Sequence, residues 1–146
     1  MNRKEKANAY HDMGYNCCQA VVAAFSDVIG IDEKTCLAIG GGFGGGLRCG
    51  EICGAVSGAV MVLGLTHPYT DNGDMNSKNR IAQQTKAFHK RFKELYGCER
   101  CVDLLKTDIS SPELLAQAKA NGITKKCPML ISSAVEIVED LLQEKN

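Results

Sequence analysis

Excess charge of either sign is absent: 17 basic and 17 acidic side chains balance. Nothing in that balance points to nucleic acid or to an anionic membrane surface as a partner. No run is apolar for the roughly 20 residues that a membrane-spanning helix needs. The opening MNRKEKANAYHDMG is polar and has no signal-peptide core. These absences lead us to expect no direct membrane insertion and a cytoplasmic location. No segment alternates apolar and polar residues at a period of two, which removes the main signal for a strand. Familiar catalytic signatures are missing too. The glycine-rich stretch lacks the Gly-Lys-Ser/Thr ending of a phosphate loop and follows a helix rather than a strand. Cys98-x-x-Cys101 has no βαβ surroundings, no second C-x-x-C stands at zinc-ribbon spacing, and no Ser/His/Asp or paired-carboxylate arrangement stands out. His11, His67 and His89 are scattered and read as non-ligands.

Glycine and cysteine are what the chain has in plenty, 15 and 8 of them. The glycines gather in residues 40–64, GGGFGGGLRCGEICGAVSGAVMVLG, the stretch around which the rest is organised. Its first seven residues include six glycines, a loop able to take unusual backbone angles and to approach other groups closely. The apolar run that follows is expected to form a buried central helix over about residues 50–65. Gly50, Gly54 and Gly58 recur every fourth residue and would give that helix a smooth stripe for a close neighbour. Glycine inside a helix costs about 1 kcal/mol relative to alanine, so the stripe asks for a packing reason.

The chain predicts an all-α fold, a compact bundle of six to eight helices around this small-residue helix, with residues 1–146 forming one domain. A first helix runs from Lys4 to Met13. Asn16 caps the second, with Gln19 three residues on in a capping box, so Cys17 and Cys18 take its first two positions. That helix is expected to continue through Ala20, Val21, Ala24, Phe25 and Val28. Asp32 caps a short third helix carrying Cys36, which reads as core. The longest amphipathic helix spans Met75 to Tyr96, its inner face Ile81, Thr85, Phe88, Phe92 and Leu95 and its basic side a solvated face. Gly97 ends it. Cys101 opens a short helix through Leu105. Ser111-Pro112 starts another, and a last helix runs from Pro128 to Gln143 on Leu130 or Ile131, Ala134, Val135, Val138 and Leu141.

In a reducing compartment so many cysteines favour redox chemistry or metal binding over a disulfide framework, although free cysteine is often only a small buried apolar residue. Cys17, Cys101 and Cys127 fall at or near helix starts, and Cys53 one turn into the central helix. Unpaired N–H groups and the helix dipole there favour thiolate. For Cys127 the preceding Lys125 and Lys126 add to this, and Arg48 lies near Cys49 and Cys53 in sequence. Four such thiols meeting at one point would either form and break disulfides or bind a thiophilic metal or an iron–sulfur cluster.

Asn16-Cys17-Cys18-Gln19-Ala20-Val21, Gly41 to Gly46, Cys53-Gly54-Ala55-Val56-Ser57-Gly58, Cys101 with Leu104-Leu105, and Cys127-Pro128 together resemble the C_GCAxxG_C_C family of redox-active proteins. The resemblance extends from about Tyr10 to Leu142. It implies that Cys17, Cys53, Cys101 and Cys127 are the functional set, outside which Cys18, Cys36, Cys49 and Cys98 fall, Cys49 and Cys98 being close enough in sequence to serve as resolving thiols. The expected role is thiol-based redox activity, by disulfide exchange or electron transfer with an unidentified redox partner, a cofactor being unknown and not required by this reading. Cys53 and Cys17 are the expected reactive pair, Cys101 and Cys127 the second pair or the resolving thiols. The first alternative is a metal module in which the same four cysteines bind [2Fe–2S] or zinc, since related four-cysteine domains occur joined to multihaem cytochromes. The second is a non-catalytic helical accessory protein whose partner is a membrane transporter, since members are often encoded near transporters.

Overall fold

A computed structural model describes residues 1–144, and among them the chain is all-α. Nine α-helices follow one another: α1 (Arg3–Asp12), α2 (Cys17–Ala24), α3 (Ser26–Ile29), α4 (Glu33–Gly40), α5 (Gly54–Thr66), α6 (Met75–Tyr96), α7 (Cys101–Leu105), α8 (Pro112–Ala120) and α9 (Cys127–Gln143). The division is finer than the sequence suggested because the second helix breaks. Phe25 leaves the helical conformation at φ −103°, ψ 11°, and α3 starts anew at Ser26. Val28 consequently leaves the apolar stripe and is exposed.

Side-chain caps fix most helix starts. Asn2 with Glu5 and Asn16 with Gln19 form reciprocal capping boxes, while Asp32, Asp74 and Ser111 each accept an N–H from three residues on. Gly97 ends α6 in the left-handed conformation.

Helix α5 lies at the centre, packed against α2, α9, α6 and α3, and its contact with α2 is the most extensive between any two helices. Gly54 and Gly58 make that approach possible. A Cβ at Gly54 would stand 2.9 Å from the Cys18 backbone N, and one at Gly58 would stand 3.0 Å from the Cys18 carbonyl oxygen. Gly50 is not part of this stripe: the helix begins only at Gly54, and Gly50 sits before it with φ 76°. The core around α5 is filled by Phe25, Leu63, Phe88, Phe92, Ile131 and the valines of α2, α5 and α9. On α9, Leu130, Ile131, Ala134, Val135, Val138 and Leu141 are all buried. On α6 the buried side chains are Gln84, Phe88 and Phe92; Leu95 is 60% exposed and does not belong to the inner face. Among the described residues no helix is long and apolar enough to cross a membrane.

Candidate functional site

The glycine-rich segment positions the start of α2. Asn16 Nδ2 donates to the carbonyls of Gly40 (3.1 Å) and Gly41 (3.3 Å), and Gln19 Nε2 donates to that of Leu37 (2.9 Å). The loop comes so close that a Cβ at Gly44 would stand 2.8 Å from the Asn16 Cβ. The capping box therefore holds both the helix start, with Cys17 in its first turn, and the loop above it. The chain then passes through four consecutive left-handed residues, Gly45, Gly46, Leu47 and Arg48. For Leu47 and Arg48 that conformation costs on the order of 1–2 kcal/mol each.

Beyond this turn a two-residue antiparallel bridge pairs Ile52 with Arg100. The Cys53 N–H donates to the Glu99 carbonyl and the Cys101 N–H to the Glu51 carbonyl, both at 2.8 Å. Arg100 also grips the Glu51 carboxylate through Nε and an Nη (3.0 and 3.1 Å). This clip sets Cys53 beside Cys101 although 47 residues separate them. Cys53 is thus the N-cap of α5, not a residue one turn inside it, while Cys101 and Cys127 are the first residues of α7 and α9.

Cys17, Cys53, Cys101 and Cys127 all line one cavity of about 340 Å³. Cys17 and Cys127 (the outer pair) shift each other's pKa most strongly, as do Cys53 and Cys101 (the inner pair), and Cys53 also bears on Cys17 and Cys127. The pairing expected for reaction, Cys53 with Cys17, is not the one in which these mutual shifts are strongest. In the inner pair, the hydrogen bond from Cys101 holds Cys53 below the ordinary thiol range against the opposing effect of burial. The N–H groups of Ala55 and Val56, in the first turn of α5, act in the same direction. Cys101 is pushed far up by that same bond and by burial. In the outer pair, the bond from Cys17 lowers Cys127, with help from Lys119, and raises Cys17. In each pair one thiol is thus raised and the other lowered. The helpful cation is Lys119 of α8; Lys125 and Lys126, expected in that role, are exposed and do not line the cavity.

Sequence reasoning set His11 aside, yet its ring lines the same cavity from the last turn of α1. Burial lowers its pKa. No spacing between residue 11 and the cysteines reveals this; it follows from α1 docking against α2 and α9. Buried Glu99, next to the clip, binds Nδ1 of His89 and the Nζ of Lys93 (3.4 Å), so His89 has a structural partner. The remaining cysteines stand apart from the cavity. Cys18 and Cys36 are fully buried, Cys18 Sγ lying 3.9 Å from Met61 Sδ and Cys36 Sγ 3.6 Å from the Ile31 carbonyl. Cys49 Sγ lies 3.5 Å from the Gly46 carbonyl and Cys98 Sγ 3.6 Å from that of Tyr96, and neither residue lines the cavity.

The family model described as "Putative redox-active protein (C_GCAxxG_C_C)" matches residues 15–141, and the chain belongs to that family. No curated protein and no solved structure matches it.

Proposed function

We propose that this member of the C_GCAxxG_C_C family is a thiol–disulfide redox protein built from two dithiols, Cys17 with Cys127 and Cys53 with Cys101. The observation that supports it is the convergence of four helix starts on one cavity, with their thiols interacting two by two. In each pair one thiol, Cys127 or Cys53, is held below the ordinary range and is ready to attack as thiolate.

The outer pair is the first to react, since Cys17 and Cys127 are only half-buried whereas Cys53 is almost wholly enclosed. Cys127 thiolate attacks one sulfur of a partner disulfide, forming a mixed disulfide and expelling the other sulfur as thiolate. Cys17 then loses its proton and attacks the Cys127 sulfur, which releases the second partner thiol. The partner gains two electrons and two protons, and Cys17–Cys127 closes. Run in reverse, the pair oxidises a partner dithiol. The inner pair can pass electrons outward by the same exchange, since Cys53 and Cys101 line the same cavity as Cys17 and Cys127. Arg48 and Lys119 line the cavity and no carboxylate is among its lining residues, which supports a partner that is anionic beside its disulfide.

Titration of the full chain against dithiothreitol tests this. Two successive two-electron steps are expected, Cys127→Ser removing one and Cys101→Ser the other. A chain that keeps all its thiols reduced under excess diamide or glutathione disulfide refutes the reading.

The two-by-two grouping also supports a second reading, a [2Fe–2S] cluster with two of the four sulfurs on each iron. Protein purified without oxygen should then carry iron and a visible absorption band. Iron-free, colourless protein excludes it.

A further inference from the structure

The starts of α2 and α9 and the end of α1 bring three metal-competent donors together. One ring nitrogen of His11, the sulfur of Cys17 and the sulfur of Cys127 all lie within 4.8 Å of one another. Among the described residues this is the set whose ligand atoms are so grouped, and neither Cys53 nor Cys101 is part of it. A tetrahedral zinc ion with two sulfur ligands and one imidazole needs donor separations of about 3.6 to 3.8 Å, from bond lengths of about 2.3 and 2.0–2.1 Å. The three side chains thus need to close by about an ångström at most. They stand on three helices that dock on one another, so the closure is a matter of rotamers and not of refolding.

We propose that His11, Cys17 and Cys127 form a mononuclear site for a thiophilic divalent ion, zinc in the first instance. Two thiolates, an imidazole and no carboxylate favour zinc over magnesium, calcium or manganese. Two thiolates neutralise the ion, which suits a cavity without acidic lining. Binding exchanges two thiol protons for one Zn²⁺. All three donors line the cavity, so the fourth coordination position opens into it, where a water or an incoming thiol completes the tetrahedron. Such an open position is the mark of a working rather than a structural zinc site. The site is distinct from a four-cysteine module, because it takes one sulfur pair, leaves the other out and recruits a histidine. It does not depend on the dithiol reading, although ion and Cys17–Cys127 disulfide exclude one another.

The test is anaerobic titration of the reduced, metal-free full chain with Co²⁺, followed by displacement with Zn²⁺. One equivalent should bind, with sulfur-to-cobalt charge-transfer bands and tetrahedral ligand-field bands that vanish on adding zinc. His11→Asn should weaken binding by about tenfold or more. Cys17→Ser or Cys127→Ser should abolish it, and the double variant Cys53→Ser/Cys101→Ser should leave it within about threefold. Zinc should also protect Cys127 of the unmutated chain from iodoacetamide while exposed Cys49 stays reactive, a readout that needs no variant to fold. The proposal is overturned if the unmutated chain binds no cobalt, if His11→Asn binds like it, or if removing Cys53 and Cys101 costs as much as removing Cys17. Disulfide formation between Cys53 and Cys101 is read separately in the metal-free chain, so failure of the zinc site is not failure of the dithiols.

Discussion

The cavity at the helix starts and the seam between α2 and α5 just beneath it use the same residue types to opposite ends. Both are made of cysteine and glycine. In the cavity, Cys17, Cys53, Cys101 and Cys127 line a common space and shift one another's pKa. In the seam, Cys18, the next residue after Cys17, is closed in against Gly54, Gly58 and Met61 and has lost all contact with water. Burial pushes its thiol up to about 12. A rotation of about 100° along one helix takes a cysteine from the cavity wall into packed apolar space. A cysteine's role here follows from what the neighbouring helix end offers it, not from its place near the motif.

The seam yields the largest expected effect. Gly58→Leu drives a side chain into the Cys18 carbonyl and the Val21 Cβ, 3.0 and 3.2 Å from where its own Cβ would stand. It should destabilise the fold by about 3 kcal/mol, read as a lowered urea midpoint. Gly64 on the same helix has nothing within 4 Å of a built Cβ, so Gly64→Ala should raise stability by up to about 1 kcal/mol. Equal effects at the two positions would remove the packing argument for the seam.

Labelling separates the two regions chemically. With iodoacetamide at pH 7, Cys127 should react on the native chain while Cys18 and Cys36 stay unlabelled until denaturant is added, a rate difference of about a hundredfold or more. If Cys18 reacts as fast as Cys127 in the native chain, the contrast fails.

The seam, together with Tyr10 on α1, should also respond to alkali. Cys18 rises from 9.0 to about 12 on burial, and Tyr10 from 10.0 to about 12 through burial and its bond to Glu33. Both groups keep in the fold a proton that the unfolded chain gives up. Their contribution is whole below about pH 9 and is lost as pH rises toward 12. Urea midpoints should fall across that window, less steeply in Cys18→Ala than in the parent. Parallel slopes would exclude Cys18 as a cause.

The smallest effect belongs to the loop over the cavity. Leu47 is half-exposed and left-handed at φ 58°, so Leu47→Gly should stabilise by about 1 kcal/mol. A loss of stability would mean that its side chain has packing worth more than the strain.

Much of this architecture was legible in the sequence, and for local reasons. The Asn16–Gln19 box, the Asp32 and Ser111 caps, the Gly97 stop and the apolar face of α9 are written within a few residues of one another. So is the position of Cys17, Cys101 and Cys127 at helix starts. What escaped depends on distance in the chain. Cys53 was placed one turn too deep because the left-handed turn at residues 45–48 and the Ile52–Arg100 bridge use up the residues assigned to the helix. The pairing of the sulfurs was not legible, because no periodicity reports which helix ends meet. His11 was dismissed for the same reason, since only the docking of α1 brings it to Cys17 and Cys127.

The most direct test of the central claim is a disulfide map of the full, metal-free chain after mild oxidation, made by proteolysis and mass spectrometry with the free thiols blocked. The account predicts Cys17–Cys127 and Cys53–Cys101, with Cys18, Cys36, Cys49 and Cys98 recovered as blocked thiols. Links that join Cys17 to Cys53 first, or that draw in Cys49 or Cys98, would contradict the two-pair arrangement.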